Sequence, residues 1–150
     1  MKDSLLVKML NQDYIVGLTD GEGSFTVFIR NPDSKEEVKR RVVAEPKFYL
    51  KLIEKDKNIL YELQKFFGCG NVYFQKDNRP NHQHCYRFEV VRRDDLLNKI
   101  TPFFKENRLQ LESKKKDFRL FCGLVERIQK GEHLKKNQLK KLYKIKQLMH

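Results

Sequence analysis

The sequence contains no tryptophan, and its 150 residues include only three cysteines, four prolines and seven glycines. Cys69, Cys85 and Cys122 are too few and too scattered for a disulfide framework, which excludes a small secreted scaffold held by cross-links. No apolar run approaches the roughly 20 residues of a membrane-spanning helix, and no apolar signal-like run opens the chain. These gaps predict a soluble, intracellular protein from a reducing compartment, with no membrane partner. Acids are also scarce: 20 Asp and Glu stand against 32 Lys and Arg. The formal charge of +12 makes a polyanion the expected partner, because basic surfaces bind nucleic acid by releasing its counterions.

That charge is uneven. Residues 113–150 carry twelve Lys and Arg against three Asp and Glu, so much of the excess sits on C-terminal helical text and reads equally as solvated helix face. The length suits one domain spanning residues 1–150, and no internal repeat or low-complexity segment divides it.

Apolar spacing predicts a first helix over 12–20, with Gly21 as its stop, and then a strand over 24–30. A polar loop over 31–40 leads to a second alternating run over 41–51. A helix over 56–67 ends at Gly68. Strands over 71–76 and 85–91 flank a polar loop. Asp94 is the expected cap of a helix running to 104, and further helices cover 111–128 and 135–149. The order α, hairpin, α, hairpin, α, α, α predicts an α+β domain whose antiparallel sheet keeps one face free of helices. Phe25, Val27, Ile29, Phe48, Leu50, Val72, Phe74, Phe88 and Val90 fall on the inward parity. Ser24, Thr26, Phe28, Arg30, Arg41, Lys47, Tyr49, Lys51, Asn71, Tyr73, Gln75, Cys85, Arg87 and Glu89 fall on the outward parity. Arg, Asn, Gln and Lys are the residue types that read bases and phosphates, and Phe28, Tyr49 and Tyr73 among them argue for contact with a ligand rather than water.

The chemistry concentrates in one joint, Tyr-Ile-Val-Gly-Leu-Thr-Asp-Gly-Glu-Gly-Ser-Phe from Tyr14 to Phe25. A helix C-terminus favours cations, and an acid there, Glu22, beside free carbonyls offers the hard oxygens a divalent ion requires. Gly17 and Gly21 stand four apart, the small-xxx-small spacing that lets two helix backbones approach. Two copies crossing there would bring two Glu22 side chains together with cations between them. The same residues equally describe a plain helix end followed by a turn. His82, His84, Cys85 and Cys69 match no common zinc spacing.

The joint resembles the signature of the LAGLIDADG homing endonucleases, in which an apolar helix with small residues runs into an Asp-Gly-acid-Gly joint. Here it reads from Ile15 to Ser24. Further landmarks follow in family order: Phe48 to Lys57, Phe66-Phe67-Gly68-Cys69-Gly70-Asn71-Val72, Pro102-Phe103, Ser113-Lys114-Lys115-Lys116-Asp117-Phe118, and Glu132-His133-Leu134 with Leu139, Lys146 and Met149. The resemblance covers nearly the whole chain. It implies an αββαββα core with a saddle-shaped antiparallel sheet in the DNA major groove, plus C-terminal helices. It also implies a metal-dependent, site-specific double-strand DNA endonuclease acting on a long near-palindromic target. With one signature present, it implies a homodimer whose interface includes Ile15, Gly17, Leu18, Asp20 and Gly21.

On the same resemblance, Glu22 and the Gly21 carbonyl hold the divalent ion, with Mg²⁺ expected and Mn²⁺ as its substitute, and Asp20 has a structural role. Glu54 or Lys55 falls where a water-positioning group is expected, Lys114 matches a catalytic lysine, and Lys115 beside it is a DNA contact. No nucleotide cofactor is implied. Intron RNA splicing, or DNA binding without cleavage, are alternative uses of the same scaffold. Nothing in the sequence separates an organellar from a prokaryotic origin.

Overall fold

A computed structural model describes residues 10–34 and 42–150. Helix α1 (Gln12–Glu22) starts where the Asn11 side chain accepts the Asp13 amide at 2.6 Å, with Asp13 placed to favour the positive end of the helix dipole. It does not stop at Gly21. It continues through Glu22, and the Gly23 amide donates to the Thr19 carbonyl. Termination comes from extended backbone at Gly23, not from a left-handed glycine. A Cβ at Gly23 would lie 2.6 Å from the Thr19 methyl and 2.9 Å from its carbonyl oxygen, so only glycine lets the strand leave so close to the last turn.

Strands β1 (Gly23–Ile29), β2 (Ala44–Ile53), β3 (Asn71–Gln75) and β4 (Cys85–Val90) form one antiparallel sheet in the order β1-β2-β4-β3. A 3₁₀ turn (Glu54–Asp56) leads into α2 (Lys57–Phe67), which ends at Gly68 in the left-handed conformation, as its sequence predicts. Beyond the sheet, α3 (Arg93–Asp95), a π-helical turn (Leu96–Ile100) and α4 (Thr101–Glu106) continue one another. Pro102 has no amide to donate into that turn, and the widened winding buries Leu96 and Ile100. Arg92, not Asp94, occupies the cap position. Asp94 lies within the first turn, where its charge suits the dipole without a capping hydrogen bond. Helix α5 (Glu112–Gln129), a 3₁₀ turn (Glu132–Leu134) and α6 (Lys136–Lys146) complete the chain.

The register pairs Phe25 with Phe48, Phe48 with Val90 and Leu50 with Phe88, which brings the inward parity onto one face. There Phe25 meets Phe48, Phe118, Phe121 and Phe104 with ring centroids 5.0–5.6 Å apart, fixing the helical layer against the sheet. Val72 is only half-buried. Phe74 departs from its inward assignment: it is 47% exposed and packs on Tyr86 and His84, because edge strand β3 extends past the helical cover. Among the described residues, no helix is long and apolar enough to cross a membrane. Arg41 and most of the 31–40 loop lie outside the described residues.

Candidate active site and nucleic-acid interface

The joint sits where α1 hands over to β1. Ile15, Val16, Thr19 and Asp20 of α1 are buried, while Gly17, Gly21 and Glu22 are exposed on the other side. A Cβ at Gly17 or Gly21 would touch nothing within 4 Å. With Tyr14 exposed and Leu18 half-buried, this side of the helix is flat, small and partly apolar. Ile15 does not belong to it. Its side chain is wholly buried in its own chain's core and is not available to a partner, because it stands on the helix face turned toward the sheet.

Asp20 faces inward as well. Its carboxylate accepts the Gln110 amide at 2.9 and 3.2 Å and the Leu111 amide at 3.3 Å. That carboxylate holds the segment between α4 and α5 against α1. The anchored α5 then delivers Lys114, whose ammonium donates to the Gly23 carbonyl, one residue beyond Glu22. The residue before it along the chain in the joint, Glu22, shares a shallow groove with Lys51, Leu52, Ile53, Asp56 and Cys85. The structure thus places Glu22, Lys114 and Lys51 around one end of the sheet.

Glu54 and Lys55 do not line that groove. They occupy the 3₁₀ turn beyond it, both exposed, with the Glu54 amide donating to the His84 carbonyl at 3.0 Å. Asp56, which sequence reading absorbed into the start of a helix, lies in the groove instead. It ends the same 3₁₀ turn that holds Glu54 and Lys55, and spacing along the chain does not tell which of the three turns toward the groove. Lys115 is exposed on α5 and pairs with Glu112 at 3.3 Å. Among the described residues, no three His, Cys, Asp or Glu side chains come together as a metal-binding group. One chain therefore supplies an exposed carboxylate and helix-end carbonyls, hard oxygens suited to a divalent ion but only part of a full ligand set.

The outward face of the sheet keeps the predicted parity. Ser24, Thr26, Phe28, Arg30, Lys47, Tyr49, Lys51, Gln75, Cys85, Arg87 and Glu89 are half-buried, and Asn71 and Tyr73 are exposed. The helix-free surface is knit together at its centre. The Glu89 carboxylate meets Lys47 at 2.9 Å and Arg87 at 3.4 Å and accepts the Tyr73 hydroxyl, while the Arg87 guanidinium lies 3.6 Å above the Tyr49 ring. Burial alone would raise the Glu89 carboxyl's pKa, but the hydrogen bonds from Tyr73 and Lys47 and the nearby cations hold it below the ordinary range. The Tyr73 phenol moves up, through burial and its bond to that carboxylate. In the β3–β4 loop, Asp77 grips the Arg79 guanidinium at 2.7 Å and accepts its amide at 3.0 Å, which lowers the Asp77 pKa and orders the loop tip.

A small-residue helix face ending in an exposed acid, and an open antiparallel sheet face rich in Arg, Lys and Tyr, define the class. The family model described as LAGLIDADG endonuclease matches residues 15–125, and the chain belongs to that family. Over 111 residues it is 33% identical to probable intron-encoded DNA endonuclease 1 of Mycosarcoma maydis, covering 74% of this chain and 35% of that protein. Its fold matches that of a homing endonuclease, I-TnaI, with a TM-score of 0.75 and 33% identity, over 95% of this chain and 90% of that one. It matches the LAGLIDADG homing endonuclease I-GzeII, solved in complex with its DNA target, with a TM-score of 0.77 and 29% identity, over 96% of this chain and 45% of that one. The chain spans between 24% and 35% of the length of the curated relatives it matches.

Proposed function

We propose that the chain is a site-specific double-strand DNA endonuclease, one domain over residues 1–150, that works as a homodimer with divalent metal. The observation that carries this reading is the exposed Glu22 at the end of the flat Gly17–Gly21 helix side, with the Lys114 ammonium held one residue away. Pairing is supported by the flat side of α1, where a Cβ added at Gly17 or Gly21 would touch nothing within 4 Å.

In the assembled enzyme, Gly17 and Gly21 permit close helix approach, and Glu22 from each subunit with the Gly21 carbonyl holds the metal, Mg²⁺ or in its place Mn²⁺. The bound ions supply Lewis acidity and lower the pKa of water. Lys114, held beside the joint by its bond to the Gly23 carbonyl, would stabilise negative charge growing on the scissile phosphate, and Lys51 would add positive potential along the groove that holds Glu22. Asp20 positions these groups by holding the segment that leads to α5. The sheet face sets the protein on the duplex through Arg30, Lys47, Arg87, Tyr49, Tyr73, Asn71 and their neighbours. Arg41, outside the described residues, belongs to the same proposal by parity alone.

The test is cleavage of the DNA that flanks the coding intron, joined as it is without the intron, in Mg²⁺, in Mn²⁺ and in excess chelator. Wild-type protein is expected to cut at one place with either ion and not with chelator. Glu22→Gln should bind and not cut. Cutting that survives Glu22→Gln overturns the assignment. Binding without any cutting by the wild type would leave a DNA-binding protein.

A further inference from the structure

The outward sheet face contains an arrangement that affinity for DNA does not explain. A surface that meets a polyanion gains from free cations, yet Glu89 stands at its centre and neutralises two of them. The side chain is only 13% exposed, and it contacts three different residues: Lys47 on β2, Tyr73 on β3 and Arg87 on its own strand. The sheet register makes this possible. Glu89 stands opposite Tyr49 on one side and Asn71 on the other, while Tyr73 stands opposite Arg87. A carboxylate here reaches both neighbouring strands, and the Tyr49 ring supports the guanidinium it orients.

We infer that Glu89 is a specificity-determining positioning residue, which orients Arg87 and Lys47 so that the sheet face discriminates between base pairs instead of gripping any duplex. This rests on the DNA-binding reading of that face. A guanidinium ordered before binding loses less rotamer freedom when it meets DNA, and it offers its remaining donors in one direction, as bidentate recognition of guanine requires. A guanidinium aimed in this way favours the paired O6 and N7 acceptors of guanine over a base edge that presents a donor there. Without Glu89, Lys47 and Arg87 become mobile cations that serve any phosphate equally well.

The experiment compares full-length wild type with Glu89→Gln, Arg87→Ala and Lys47→Ala. Base preference is read by sequencing what each protein retains from a randomised duplex pool. Non-specific affinity is read on one non-target duplex across a salt series, and folding from the thermal midpoint. Glu89→Gln should flatten the preference at the same base pairs that Arg87→Ala or Lys47→Ala flattens. It should also bind the non-target duplex several-fold more tightly, with a salt slope steeper by about one. If Glu89→Gln does not fold, Tyr73→Phe removes only one hydrogen bond to the same carboxylate and should flatten the same positions to a smaller degree. A preference profile unchanged in the variant overturns this inference. So does flattening confined to positions that neither cation variant affects, since Glu89 would then read a base by itself. A wild type that retains no preferred sequence overturns the DNA-binding reading on which the inference stands.

Discussion

The ammonium of Lys114 donates to the carbonyl of Gly23 and so ties the first turn of α5 to the residue that follows Glu22. This one contact brings a cation from late in the chain beside an acid from its beginning. Replacing Lys114 by Met should slow single-turnover cleavage by about 100-fold while leaving DNA affinity within a few-fold, because the lost group acts on charge that grows during reaction. The same change should lower unfolding stability by about 1.5–3 kcal/mol in urea titration, the net worth of a hydrogen bond made by a charged group. Equal losses in affinity and rate would reassign Lys114 to phosphate binding.

Asp20 offers a contrast with Glu22, two residues away. Its carboxylate is committed to the Gln110 and Leu111 amides, so Asp20→Ala should cost about 1–3 kcal/mol in urea unfolding, and Asp20→Asn less, because an amide oxygen still accepts. Glu22→Gln should leave the unfolding midpoint near that of wild type, since Glu22 is exposed.

The flat side of α1 gives a test of assembly. Nothing lies within 4 Å of a Cβ at Gly17, so Gly17→Leu should keep the monomer folded and strengthen the isolated helix by about 0.5–1 kcal/mol. The added side chain would hold two α1 helices apart. Sedimentation of wild type and variant with target DNA should show a dimer for the first and a weakened or absent one for the second, with cleavage lost alongside. A variant that sediments and cuts like wild type would move the interface off this helix side.

Cys122 lies within α5, and burial pushes its thiol up to about 11. The thiolate is the reactive form, so its population at pH 8 is about a hundredth of that of an ordinary thiol with a pKa near 9. Alkylation of Cys122 in the native protein should therefore be slow at pH 8 and rise as pH climbs toward 11, with denaturant abolishing the difference. Peptide mass mapping after timed iodoacetamide treatment checks this.

Local pattern carried much of the architecture. Alternation along 24–30 and 85–91 is a property of neighbouring residues, and it placed Phe25, Val27, Ile29, Phe88 and Val90 inward because a pleated strand sends successive side chains to opposite faces. Helical spacing and Gly68 likewise marked α2, whose stop needs a left-handed residue. Phe74 shows the limit: its parity is inward, but at the sheet edge no helix covers it, and alternation cannot tell how far the cover extends. Gly21 shows another, since glycine is tolerated inside a helix and the chain simply continued to Glu22.

By itself, the sequence determined the order of elements, the two faces of the sheet and the acidic joint, all of which follow from residues close together in the chain. The tertiary structure decided which distant groups meet there. Asp20 finds Gln110 and Lys114 finds Gly23 only because α5 packs across the joint. Asp56 enters the groove in place of Glu54 and Lys55. Glu89 gathers Lys47 and Tyr73 from two neighbouring strands. Side-chain reach of a few ångströms is settled by register and packing, and neither is written in the spacing of a single segment.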